Sequence, residues 1–127
     1  MIWFVMQVKE LWRSVSEDGL LRLVALVNEA GELTCGFEES PWHTHGDLFD
    51  SYGVEQGNLN AFLLSITSGR QVIGVLRQNN TMKSAWLVDI YSQIEDDKYR
   101  QQDEVLQFRL WDGRIIAEFA NDFNAKY

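Results

Sequence analysis

Hydrophobic and polar positions divide the chain into short segments, most of them fit for strands. At the start, Phe4, Val5, Val8, Leu11, Trp12 and Val15 recur at helical spacing, with Gln7, Lys9, Glu10 and Arg13 opposite. That spacing predicts a helix over 2–15, although the first six residues also suit a strand. Ser16-Glu17-Asp18-Gly19 is a stop-and-turn signal. Residues 20–27 then read as a buried strand, Asn28 to Gly31 as a turn, and 32–37 as the returning strand, with Leu33, Cys35 and Phe37 on one face. Leu59, Phe62, Leu63 and Ile66 stand at i, i+3, i+4 and i+7, the clearest helical pattern in the sequence, with Asn58 as N-cap and Gly69 as stop. Residues 72–76 and 82–90 form a second hairpin around Asn79-Asn80. A polar loop covers 95–104. Residues 105–111 and 114–119 form a third hairpin around Asp112-Gly113, and the chain ends in a polar tail from Asn121.

Strands joined by tight turns outnumber helices. The reading is therefore one α+β domain over residues 1–127, with a mainly antiparallel sheet of about five to six strands and one or two helices. Nearly half of the residues are apolar and five are Trp, enough for a core at 127 residues. The tryptophans suit core and loop-anchor positions better than a ligand cage. No apolar run reaches the length of a membrane helix, and the apolar start lacks the basic lead of a signal peptide. A single cysteine, Cys35, excludes an internal disulfide and suits a reducing compartment. Together these point to the cytoplasm.

Charge changes the picture more than composition does. The net charge is −8, and no Lys or Arg occurs between Arg22 and Arg70. That interval holds Glu29, Glu32, Glu38, Glu39, Asp47, Asp50 and Glu55. Such a surface repels nucleic-acid phosphates and anionic lipid, and attracts cations or a basic protein. No glycine-rich phosphate loop or basic aromatic stripe is present.

Within the acidic interval, the stretch from Phe37 to Tyr52 holds the only proline, Pro41, and both histidines, His43 and His45. Two histidines at i and i+2 of an extended segment point to one side, the spacing for two ligands of one metal. Asp50, with Asp47 or Glu38 as alternatives, would add an oxygen, and Cys35 is a further possible donor. Imidazole plus carboxylate suits zinc, manganese or iron. Gly36, His43-Thr44-His45, Asp50 and Gly53 are similar in spacing to the first cupin motif, which implies a metal-dependent enzyme centred on His43 and His45. The cupin family places Glu where Asp50 stands and has a second histidine motif, which this chain lacks. His43-Thr44-His45 followed by Ser51 is also similar to part of the JAMM metalloprotease signature, with shorter spacing. Cys35 or Ser51 beside His43 is the only nucleophile–base pair to consider.

The non-enzymatic reading uses more of the chain. A small, acidic, Trp-rich α+β chain with a Pro41-Trp42-His43-Thr44-His45 loop and a Phe108-to-Gly113 hairpin resembles the small bacterial immunity proteins that bind and neutralise toxin domains. That resemblance implies no enzymatic activity and no cofactor. It implies a basic protein partner, such as a toxin domain, but carries over no binding residues; the acidic interval itself and its loop supply the candidates Glu38, Glu39, Trp42, His43, His45, Asp47 and Asp50. The sequence leaves the oligomeric state open.

Overall fold

A computed structural model describes residues 8–92, 94 and 103–120. Eight strands fall into two four-stranded antiparallel sheets, where the sequence pattern suggested five to six strands. The first sheet is a meander of β1 (Val8–Val15), β2 (Arg22–Asn28), β3 (Leu33–Phe37) and β4 (His43–His45). A 3-10 helix (Gly46–Tyr52) and helix α1 (Leu59–Thr67) follow. The second sheet contains β5 (Ile73–Gln78), β6 (Thr81–Leu87), β7 (Glu104–Arg109) and β8 (Ile115–Ala120), in spatial order β6-β5-β7-β8.

The helix expected over 2–15 is not formed where the structure describes it: Val8–Val15 is a strand, and residues 2–7 lie outside the described part. The reason is a β-bulge. Glu10 pairs with Leu26 but Trp12 pairs with Ala25, so Leu11 is an extra residue. An extra residue shifts the alternation of side chains by one. A period of two interrupted once then reads as spacings of three and four, which imitates a helix. Glu104, placed by its sequence in a polar loop, instead begins β7 and is buried, with Lys83 Nζ at 3.0 Å from its carboxylate. The rest of that loop, residues 95–102, and the tail from Asn121 lie outside the described residues.

The remaining elements follow local chemistry. The Asn58 side chain accepts a hydrogen bond from Ala61 N and caps α1. Asn79 and Asn80 both take positive φ, as a two-residue hairpin turn requires. Gly74 in β5 lies under the indole of Trp86, where a Cβ would come within 2.4 Å of the ring, so only glycine fits.

One core joins the two sheets. Leu23, Ala25, Cys35 and Phe37 from the first meet Ile73, Val75, Ala85 and Leu87 from the second, with Phe49, Phe62 and Ile66 filling the side. Phe49 and Phe62 stack at 4.0 Å between ring centres. Trp111 belongs to this core, Trp12 and Trp42 pack against it, and Trp3 lies outside the described residues. Polar contacts also tie the sheets together. The fully buried Ser40 hydroxyl accepts from Ala85 N at 3.0 Å. From the β1–β2 turn, Asp18 receives both terminal nitrogens of Arg109 of β7 at 2.6 and 2.8 Å. The Arg109 guanidinium holds the Asp18 carboxyl well below its usual range.

Candidate functional site

The His-Thr-His segment is a strand. β4 pairs with β3 through His43 with Gly36, Thr44 with Cys35 and His45 with Thr34. Paired residues share a face. Cys35 and Thr44 therefore lie on the core side, and His43 and His45 on the other. The two imidazoles stand 5.0 Å apart, edge to face. His45 Nδ1 lies 3.3 Å from the Thr34 hydroxyl, and His43 Nδ1 lies 3.2 Å from the carbonyl oxygen of Pro41.

The rest of the expected ligand set does not join them. Cys35 is buried on the opposite face, and burial pushes its thiol up to about 12, so it is neither a ready metal ligand nor a nucleophile. Asp50 lies in the 3-10 helix, where its carboxylate accepts from Gln56 Nε2 at 3.3 Å. Among the described residues, no three His, Cys, Asp or Glu side chains converge as a metal group.

Trp42 is half-buried rather than free. It stacks on Phe37 at 5.7 Å and meets Tyr52 edge-on at 6.3 Å. Tyr52 also meets Phe62 at 5.9 Å, and burial raises its phenol. Trp42 thus pins the 41–43 segment to the core.

The acids separate into two groups. Glu38 is paired with Arg13 at 2.7 Å and Glu39 with Arg22 at 2.8 Å. Glu39 also accepts from Arg22 N, and the Arg13 guanidinium lowers the Glu38 carboxyl. Glu29, Glu32, Asp47, Asp50 and Glu55 are exposed and, among the described residues, ion-paired with nothing.

Two of these acids, Glu32 and Asp47, line an open hollow of about 550 Å³ with Leu33, His45, Gly46 and Gln56, with glycines at its ends. β4 ends at His45 and Asp47 stands in the first turn of the 3-10 helix, so Glu32 and Asp47 reach the same hollow from the start of β3 and from that helix. Gly46 permits the close approach, since a Cβ there would meet Leu33 Cβ at 3.3 Å. The opposite wall is fixed by Gly57 N donating to Gly46 O at 2.9 Å.

Of the seven binding residues expected from sequence, His45 and Asp47 line this hollow and Asp50 reaches its Gln56 wall. Glu38, Glu39 and Trp42 are occupied elsewhere, and His43 stands beside His45. The sequence reading does not single out Glu32 or Gln56 as site residues. Pairing the 32–37 strand with an extended His-Thr-His segment would have placed Glu32 there. Comparison with protein-family models, curated proteins and solved structures gives no match. No helix among the described residues is long and apolar enough to cross a membrane.

Proposed function

We propose that this chain is a binding protein whose acidic hollow receives a basic protein partner, in the manner of an inhibitor or immunity protein that neutralises a toxin domain. One observation carries the reading: two carboxylates, Glu32 and Asp47, line one open hollow with no ion-pair partner among the described residues. Like charges sharing one hollow leave a negative potential there that an incoming cation relieves. The exposed Glu29, Asp50 and Glu55, close in sequence to the lining residues, add charge of the same sign, which steers a basic partner and raises its association rate. The paired Glu38 and Glu39 contribute less, because Arg22 offsets the second and Arg13, shared with Glu10, offsets part of the first. The test is stopped-flow association with a panel of basic nuclease domains at rising salt. The binding reading expects a cognate domain whose on-rate falls steeply with salt and falls further in Glu32→Gln/Asp47→Asn. On-rates indifferent to both salt and substitution would reject it.

A second reading is favoured by the two imidazoles side by side on β4: a metal-dependent site with zinc or manganese held by His43 and His45, with Asp50, or Asp47 from the hollow that His45 lines, as the oxygen donor. Calorimetry decides it. One saturable equivalent of zinc, lost in His43→Ala/His45→Ala, supports this reading; no saturable binding rejects it.

A further inference from the structure

We infer that β1 is a self-pairing edge: two copies of this chain join through antiparallel β1 strands and extend each first sheet into one sheet of eight strands. Among the described residues β1 has a neighbour on one side only, β2. An edge strand presents unpaired N–H and C=O groups to any matching strand. The β1 sequence matches itself. Set antiparallel about its centre, Val8 faces Val15 of the second copy, Lys9 faces Ser14, and Glu10 faces Arg13.

The bulge makes this pairing geometrically consistent. In a regular strand Glu10 and Arg13, three apart, project to opposite faces. With Leu11 as an extra residue they lie on the same face, as their 2.7 Å ion pair within one chain requires. Treating Leu11-Trp12 as one position, β1 has three residues on each side, and every pair across the two-fold axis shares a face. A two-fold interface needs that self-complementarity. The groups involved are accessible: the Glu10 and Arg13 side chains are 46% and 39% exposed, and Leu11 and Val15 are 43% and 47% exposed. Arg13 exchanges its own Glu10 for that of the second copy and keeps Glu38, so no charge is stranded. β4 and the acidic hollow sit at the far edge of the same sheet, so pairing leaves that site open in both copies.

A single strand edge with Leu11 and Val15 exposed on each copy is a small interface, which implies a weak, concentration-dependent dimer. Sedimentation velocity between about 10 µM and 1 mM covers that range. Two variants test the register. Glu10→Arg brings two guanidinium groups face to face across the axis, the new one against Arg13 of the second copy. Arg13→Glu, made with Glu38→Gln so that the new carboxylate meets only Glu10 and not also Glu38 within its own chain, brings two carboxylates face to face, the new one against Glu10 of the second copy. Each variant alone is expected to stay monomeric at about 1 mM with an unchanged circular dichroism spectrum. A 1:1 mixture is expected to form heterodimers, because every charge then meets its opposite. A wild type that is monomeric at that concentration, variants that dimerise as well as wild type, or a mixture that stays monomeric would each overturn the inference.

Discussion

The two faces of the β3–β4 pair follow different rules. On one face Cys35 and Thr44 are buried against the shared core, where the rings are packed. On the other, His43, His45 and the acids beyond them stand in or near solvent with negative charge left uncancelled. Three residues of β4 serve both. The alternation of a strand is enough to separate them, so stability and binding can be altered independently in one short segment. Substitutions in the core should change unfolding and leave association alone, and substitutions around the hollow should do the reverse.

The largest effect is expected at Phe62, which is fully buried and stacked on Phe49. Phe62→Ala should cost about 3–5 kcal/mol in urea unfolding. A loss under about 1 kcal/mol would mean that α1 does not carry the core. Next is the clamp between the sheets. The Arg109 side chain is 3% exposed, so Asp18→Asn leaves a buried cation without its partner. Because Asp18 itself is 35% exposed, the cost should fall below that of a fully buried pair, at about 2 kcal/mol. Asp18 is held below its ordinary value of 3.8 when folded. Its contribution is therefore fully present above about pH 4 and is lost as pH falls through the lower folded value. Unfolding free energy measured from about pH 5 to pH 2 should decline less steeply in Asp18→Asn than in wild type. An equal slope would contradict the clamp.

At the boundary between the regions, Glu39→Gln should cost under about 1 kcal/mol, since its pair with Arg22 is partly solvated. The smallest effect on folding belongs to the hollow: His45→Ala should shift unfolding by less than about 0.5 kcal/mol, because the exposed imidazole makes one long polar contact and an edge contact with the His43 ring. A thermal shift of many degrees in that variant would erase the distinction between the two faces.

How far the sequence reveals each region also differs. The α1 core is legible because Leu59, Phe62, Leu63 and Ile66 repeat without interruption and Asn58 caps them. The turns at Gly31, Asn79-Asn80 and Gly113 are legible because their backbones take positive φ, which glycine and asparagine accept most readily. β1 is not, because a single bulged residue at Leu11 converts a strand pattern into a helical one. The division into two sheets is also hidden, since it depends on contacts such as Ser40 with Ala85, 45 residues apart. For the site, charge density points to the right interval but not to the acids that stay unpaired. Which carboxylates those are depends on where Arg13 and Arg22 fall in the sheet, and that requires the register of β1 on β2.

The central claim is that Glu32, Asp47, Asp50 and Glu55 form the surface that meets a basic partner, while Glu38 and Glu39 do not. The most direct measurement is the association rate of a cognate basic domain with two variants, one reversing the first four acids to lysine and one reversing Glu38 and Glu39, each checked for an unchanged melting temperature. The account predicts that the first variant slows association by about 10- to 100-fold at low salt and the second by several-fold less. Equal slowing by both, or a larger effect from Glu38 and Glu39, would place the interface on the β1 side of the sheet and contradict it.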